Sequence, residues 1–304
     1  DNYEVAQGGA IWISNTSSYT VTINNSTIKN NSSNTMGASS CASASGGAIY
    51  IYGAGSLDII NSEIVDNMTQ VSCGAGGGYT PTASGGAIYA DGAAQVTLVH
   101  SIVVGNQARN DGSYAVGGNG GAFWVESSST ALYVLNSIVW DNSATGNEQM
   151  IESVAGATAQ FNKSGLQESP SSGTGNIVGD PQFVSEDEHN YRLANNSPLL
   201  GIGAAANGGL YTGDNKIPST DKSGNARPGS GGGNPDPGAY ENNLSVSPVP
   251  AAPTWVSPTD SALVTGNAQA RLRWTKHPET DISKYRIYYG TSSGSTENYT
   301  DVSG

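Results

Sequence analysis

Short bursts of period-two alternation run through the first half of the chain, each bounded by Gly-Gly or Asn-Ser. In GGAIYIYGAGSLDIINSEIVDN (residues 46–67), Ile49 and Ile51 share one face, Leu57 and Ile59 share another, and Ile64 follows. This alternation predicts three strands separated by turns. Ile11 and Ile13, Ile88 and Ala90, and Phe123 and Val125 repeat the first strand, while Val21 and Ile23, Val96 and Leu98, and Leu132 and Val134 repeat the second. Strands with Gly-rich corners at about 22 residues per circuit predict the rungs of a parallel β-helix. The segments 32–45, 68–84 and 107–119 read as loops between rungs.

The unit recurs. Gly-Gly-Ala-(Ile/Phe) begins at Gly8, Gly46, Gly85 and Gly120, and each copy ends on a closing Asn: Asn31, Asn67, Asn106 and Asn142. The closing residues are 36, 39 and 36 apart, a period that marks stacked supersecondary units. Stacking turns repeat positions into columns. Asn25, Asn61, His100 and Asn136 form one, the serines that follow them a second, and the closing Asn residues a third, their amides expected to hydrogen-bond up the column. His100 reads as a structural substitute in its column. Leucine-rich repeats are excluded by the lack of Leu spacing, and helices by Gly and β-branched residues in the elements. A fifth, degenerate rung is expected from Gln149 to Gln167.

Residues facing opposite the core isoleucines are Trp12, Tyr50, Tyr89 and Trp124. They predict an outward aromatic ladder, either stacked on itself and covered by loops or offered to a sugar or a protein.

Charge changes the picture by exclusion. A net charge of −13 argues against nucleic acid and anionic membrane surfaces, and no apolar run reaches the length of a transmembrane helix. The chain opens almost directly on a repeat, so its N-terminus reads as processed or trimmed. The two cysteines, Cys41 and Cys73, fall in neighbouring inter-rung segments. A disulfide between them is favoured over two half-buried thiols and fits an oxidising, extracellular setting.

GGAIYI…LDIINSEIVDN resembles the right-handed parallel β-helix repeats of bacterial surface proteins, including the polymorphic outer-membrane adhesins. GTGNIVGDPQFV, NYRLANNSPLLGIGA and DKSGNARP…PDPGAYE resemble the C-terminal portion of the choice-of-anchor β-helix proteins. That resemblance implies a last irregular rung and a capping segment ending in Gly-Ala-Tyr-Glu, displayed at a cell surface, with no agreed reaction. APTWVSPTDSALV…ARLRWTKHPETDISKYRIYYGTSS resembles the first half of a fibronectin type III module, with Trp274 on its second strand and Tyr285, Ile287 and Tyr289 along its third. The expected organisation is all-β: rungs over 1–170, an irregular last rung and a loop-rich cap closing the coil over 171–244, a Pro-rich linker over 245–253, and a partial β-sandwich over 254–304. Such a sandwich needs more strands than these residues supply, so the chain is expected to continue or to be completed by a partner.

Chemistry is sparse. Asp66 and Asp141 share a repeat position two rungs apart, about 9.6 Å from the rung spacing, which only borders on the separation of an inverting carboxylate pair. They are the candidate catalytic residues of a reading that argues more against an enzyme than for one, because Asp is common at such turns. Asp214, Asp221 and Asp236 in the expected cap are candidate Ca²⁺ ligands through oxygen, with no EF-hand or nonapeptide spacing to support them; no other cofactor or metal is expected. The reading is a secreted or cell-surface structural or adhesive β-helix protein within a larger assembly. Its partners would be other chains, the rest of the same polypeptide, or glycans. The alternatives are a carbohydrate-active β-helix hydrolase or lyase, and a non-catalytic glycan-binding protein.

Overall fold

In the computed structural model one full turn comprises five strands: β1 (Ala6–Gln7), β2 (Ile11–Asn15), β3 (Thr20–Asn24), β4 (Thr27–Lys29) and β5 (Ser32–Gly37). The structure describes residues 6–15, 17–37, 42–73, 80–112, 117–146, 148–206, 210, 216–229, 233–242, 255–257, 272–274, 284–289 and 298–303. A second turn follows as β6 (Ala44–Ser45), β7 (Ile49–Gly53), β8 (Ser56–Ile60), β9 (Glu63–Val65) and β10 (Met68–Cys73). The third is β11 (Ala83–Ser84), β12 (Ile88–Gly92), β13 (Gln95–Val99), β14 (Ile102–Val104) and β15 (Gln107–Asn110). Shorter rungs come next: β16 (Phe123–Val125), β17 (Ala131–Leu135), β18 (Ile138–Trp140) and β19 (Ser143–Ala144), then β20 (Ile151–Ser153), β21 (Thr158–Asn162) and β22 (Gly165–Leu166). A last partial rung is β23 (Gly173–Thr174) and β24 (Ile177–Val178). Each strand pairs in parallel with its counterpart above and below, so the fold is a parallel β-solenoid of three full turns and a tapering end.

The core columns fall where alternation puts them. Ile11, Ile49, Ile88, Phe123 and Ile151 are in register, and Ile49, Ile88 and Phe123 are fully buried. The Gly-Gly pair has a steric cause. Gly46 has φ +65, and a Cβ on Gly47 would lie 2.0 Å from the Gly86 carbonyl oxygen of the next rung. The first glycine therefore makes the corner, and the second lets two rungs approach.

Two expectations need correction. The circuit is the whole repeat, not about 22 residues, because the supposed loops carry β5, β10 and β15, paired Met68 to Ser32 and Met68 to Gln107. Their buried positions are Ser33, Thr35, Thr69, Val71, Ala108 and Asn110. Small and polar inward residues give little hydrophobic contrast, which is why alternation did not reveal the strands.

The second correction concerns the cap. Residues beyond the last rung do not simply close an end; they run along the outside of the solenoid as a strap. Tyr191, Leu193, Leu199 and Ala239 pack on Val65, Ile102, Val104 and Ile138, which face outward from β9, β14 and β18. Of these, β14 and β18 read Ile-Val-Val and Ile-Val-Trp, apolar on both faces as strands buried on both sides tend to be, while β9 reads Glu-Ile-Val.

Two compact units divide the chain at Val246 and Ser247. In the second, β27 (Trp255–Ser257) pairs antiparallel with β28 (Arg273–Trp274), and β29 (Lys284–Tyr289) with β30 (Asn298–Ser303). The Trp274 and Tyr285 rings meet edge-on at 5.6 Å. These are two separate two-stranded sheets, and a closed sandwich is not formed among the described residues. The expected linker at 245–253 lies outside them. The described residues contain no helix, and none long and apolar enough to cross a membrane.

Candidate functional site

Each rung turns after β4, β9, β14 and β18 through a residue with left-handed backbone: Asn30 (φ 57), Asp66 (φ 55), Gly105 (φ 69) and Asp141 (φ 50). Asn, Asp and Gly tolerate that region best, so Asp66 and Asp141 have a backbone reason to be where they are. The strap adds what repeat alignment could not. Strands β25 (Phe183–Ser185) and β26 (Asn190–Leu193) form a hairpin whose turn is closed by the His189 amide donating to the Glu186 carbonyl at 2.8 Å. It lays Glu186, Asp187, His189 and Tyr191 against Asp66, Gly105 and Asp141 around a hollow of about 330 Å³. A neighbouring hollow of about 540 Å³ shares Glu186 and Asp187 and adds Asp180.

Within the hollow, His189 Nδ1 lies 3.0 Å from the Tyr191 hydroxyl and 3.4 Å from Asp66 Oδ2. Burial, reinforced by Asp141, Asp180 and Asp187, holds the Glu186 carboxyl above the usual carboxylate range. Burial likewise raises the Tyr191 phenol, with Asp66 and Glu63 adding to it. A carboxylic acid raised by burial among other carboxyl groups is an arrangement that general acid catalysis uses. Among the described residues, neither Lys nor Arg lines the cavity. The sequence carried little signal for these partners: only Tyr191 and Leu193 alternate, after the polar run Glu-Asp-Glu-His.

The aromatic residues do form one column, with Trp12, Tyr50, Tyr89 and Trp124 in register. Tyr50 and Tyr89 stack at 5.1 Å and 7°, and Tyr89 and Trp124 at 6.4 Å and 5°. Ring faces stacked this closely leave no room for a sugar between them. Tyr50 is only 8% exposed, whereas Trp12 is 58% exposed, its indole N–H donating to Gln7 at 3.0 Å. Trp124 donates to Glu126. Along the column Tyr50 is covered, Tyr89 and Trp124 are half-buried, and Trp12 is exposed.

Two of the three polar columns bond along their length. The closing Asn residues pass a side-chain hydrogen bond from Asn31 to Asn67, Asn106, Asn142 and Gln167. The serines do so through backbone amides, Ser26 to Ser62, Ser101, Ser137 and Ser164. In the column of Asn25, Asn61, His100 and Asn136 the backbone is left-handed throughout, and the last three side chains reach the strap. Asn61 Nδ2 donates to the Thr220 carbonyl at 2.7 Å, and Asn136 exchanges two 2.8 Å bonds with the Ala204 backbone.

His100 is fully buried beneath the strap. The Ala204 contacts orient the Asn136 amide so that its Nδ2 faces His100 Nε2 at 2.8 Å. Nε2 therefore accepts, while Nδ1 lies 3.0 Å from the Asp236 carbonyl and 2.6 Å from Arg227 Nη1. Burial and then the Arg227 guanidinium hold the imidazole well below its ordinary range. Burial pushes Glu241 up to about 7, against the pull of Arg227 at 2.9 Å.

These shifts oppose each other in acid. Below about pH 6.5 the unfolded chain protonates His100 and the folded chain does not, so His100 removes stability as pH falls. Between about pH 7 and 4.5 folded Glu241 binds the proton more tightly, so it adds stability over that range. His100→Asn is expected to make stability rise from pH 7.5 to pH 5 relative to the wild-type trend, read from denaturation midpoints of each protein. Parallel pH trends in the two proteins would refute the assignment.

Asp221 is occupied by the chain itself. Its carboxylate accepts backbone N–H bonds from Ser223, Asn225 and Glu241, and these, with the Asn225 amide, hold it below the usual range despite burial. Asp236 accepts from the Gly201 and Asn242 amides. The third Ca²⁺ candidate, Asp214, lies outside the described residues, and no group of three or more His, Cys, Asp or Glu among those described is arranged to hold a metal ion. Cys73, at the end of β10, is disulfide-bonded; the partner expected for it, Cys41, lies outside the described residues.

No protein-family model, curated protein or solved structure matches this chain.

Proposed function

We propose that the chain is a rigid structural or adhesive element of a bacterial surface or secreted assembly, built on a right-handed β-helix and carrying part of a fibronectin type III-like module. The observation behind this reading is that the repeat's polar and aromatic columns are spent on one another. Bonds between closing Asn side chains run unbroken from rung to rung, and Tyr50, Tyr89 and Trp124 stack. Such columns stiffen a rod and leave little for chemistry along its sides. Right-handed winding follows the strong preference of parallel crossovers. A Cys41–Cys73 bridge would suit an oxidising exterior. Contact with a glycan or a protein would fall to the exposed aromatics Trp12 and Tyr52.

A second reading, a carbohydrate-active enzyme, is favoured by the hollow of Asp66, Asp141 and Glu186 beside His189 and Tyr191. One experiment separates the two. On surfaces coated with polysaccharides or glycoproteins, the chain is expected to be retained without cleaving the coating. Trp12→Ala with Tyr52→Ala should lose most of that retention, and Asp66→Asn with Asp141→Asn and Glu186→Gln should keep it. Release of sugar by the wild type that disappears in the carboxylate variant would overturn the adhesive reading in favour of the enzyme.

A further inference from the structure

We draw no further inference here: the strongest candidate, the paired acidic hollows between the β9–β14–β18 turns and the β25–β26 hairpin, belongs to the site already described and is a cluster of carboxylates with no second observation to say what fills it.

Discussion

Arg227→Ala is expected to lower the stability of the solenoid unit by about 3–5 kcal/mol, the usual cost of removing one partner of a buried ion pair. Arg227 is 7% exposed and meets five groups at once, one of them His100, whose Nδ1 lies 2.6 Å from Nη1. Its Nη1 lies 2.9 Å from Glu241 Oε2 and donates to the Asp236 carbonyl at 2.8 Å. Its Nη2 donates to the Gly238 carbonyl at 3.2 Å and to Asn61 Oδ1 at 3.4 Å. Without it a carboxylate remains buried among acceptors that have lost their donor. Because Glu241 can take up a proton, the loss should be smaller at pH 5 than at pH 8.

A partner substitution tests the charge directly. Glu241 Oε1 accepts the Gly229 and Asp236 amides, both at 3.1 Å, and glutamine can keep that acceptor. Arg227→Met with Glu241→Gln should therefore recover most of the loss. Equilibrium denaturation gives the values. A deficit below about 1 kcal/mol in Arg227→Ala would mean that apolar packing alone secures the strap.

The second large effect is expected inside a column. Asn106→Ala should cost about 2–4 kcal/mol, more than Asn31→Ala at the column's first rung. The Asn106 Oδ1 atom accepts both the backbone and side-chain N–H of Asn67, each at 3.0 Å. Its Nδ2 donates to Ile64 and Val104 carbonyls at 2.9 and 3.1 Å, and to Asn142 Oδ1 at 2.9 Å. Asn106 is fully buried, so no water replaces what alanine removes. Asn31 loses less because nothing below it depends on its oxygen among the described residues. Equal effects at the two positions, measured by thermal or denaturant midpoints, would show that the column does not act as a chain.

Of the functional geometry, the sequence revealed the half that belongs to the repeat. Asp66 and Asp141 were legible as one column because both follow the same strand and both fill a left-handed turn. Glu186, Asp187 and His189 were not, because nothing in a repeat alignment says where a later hairpin docks. The aromatic column was legible in register, while its covered middle and exposed Trp12 were not, since solvent exposure depends on everything packed above a face.

What the sequence by itself determined is local and repetitive. Period-two alternation chose the inward columns, left-handed turn positions selected Gly, Asn and Asp, and the second glycine of each pair gave way to a carbonyl of the next rung. Each of these constraints acts within a residue or between successive rungs, so it leaves the same mark in every repeat. The tertiary structure alone decided the fate of the outer faces. The strap's path across Asn61, His100 and Asn136, the reach of Arg227 to Asn61 and His100, and the meeting of Asp66 with His189 join residues far apart in the chain. Such contacts occur once and have no period, so they become visible only when the chain has folded back on itself.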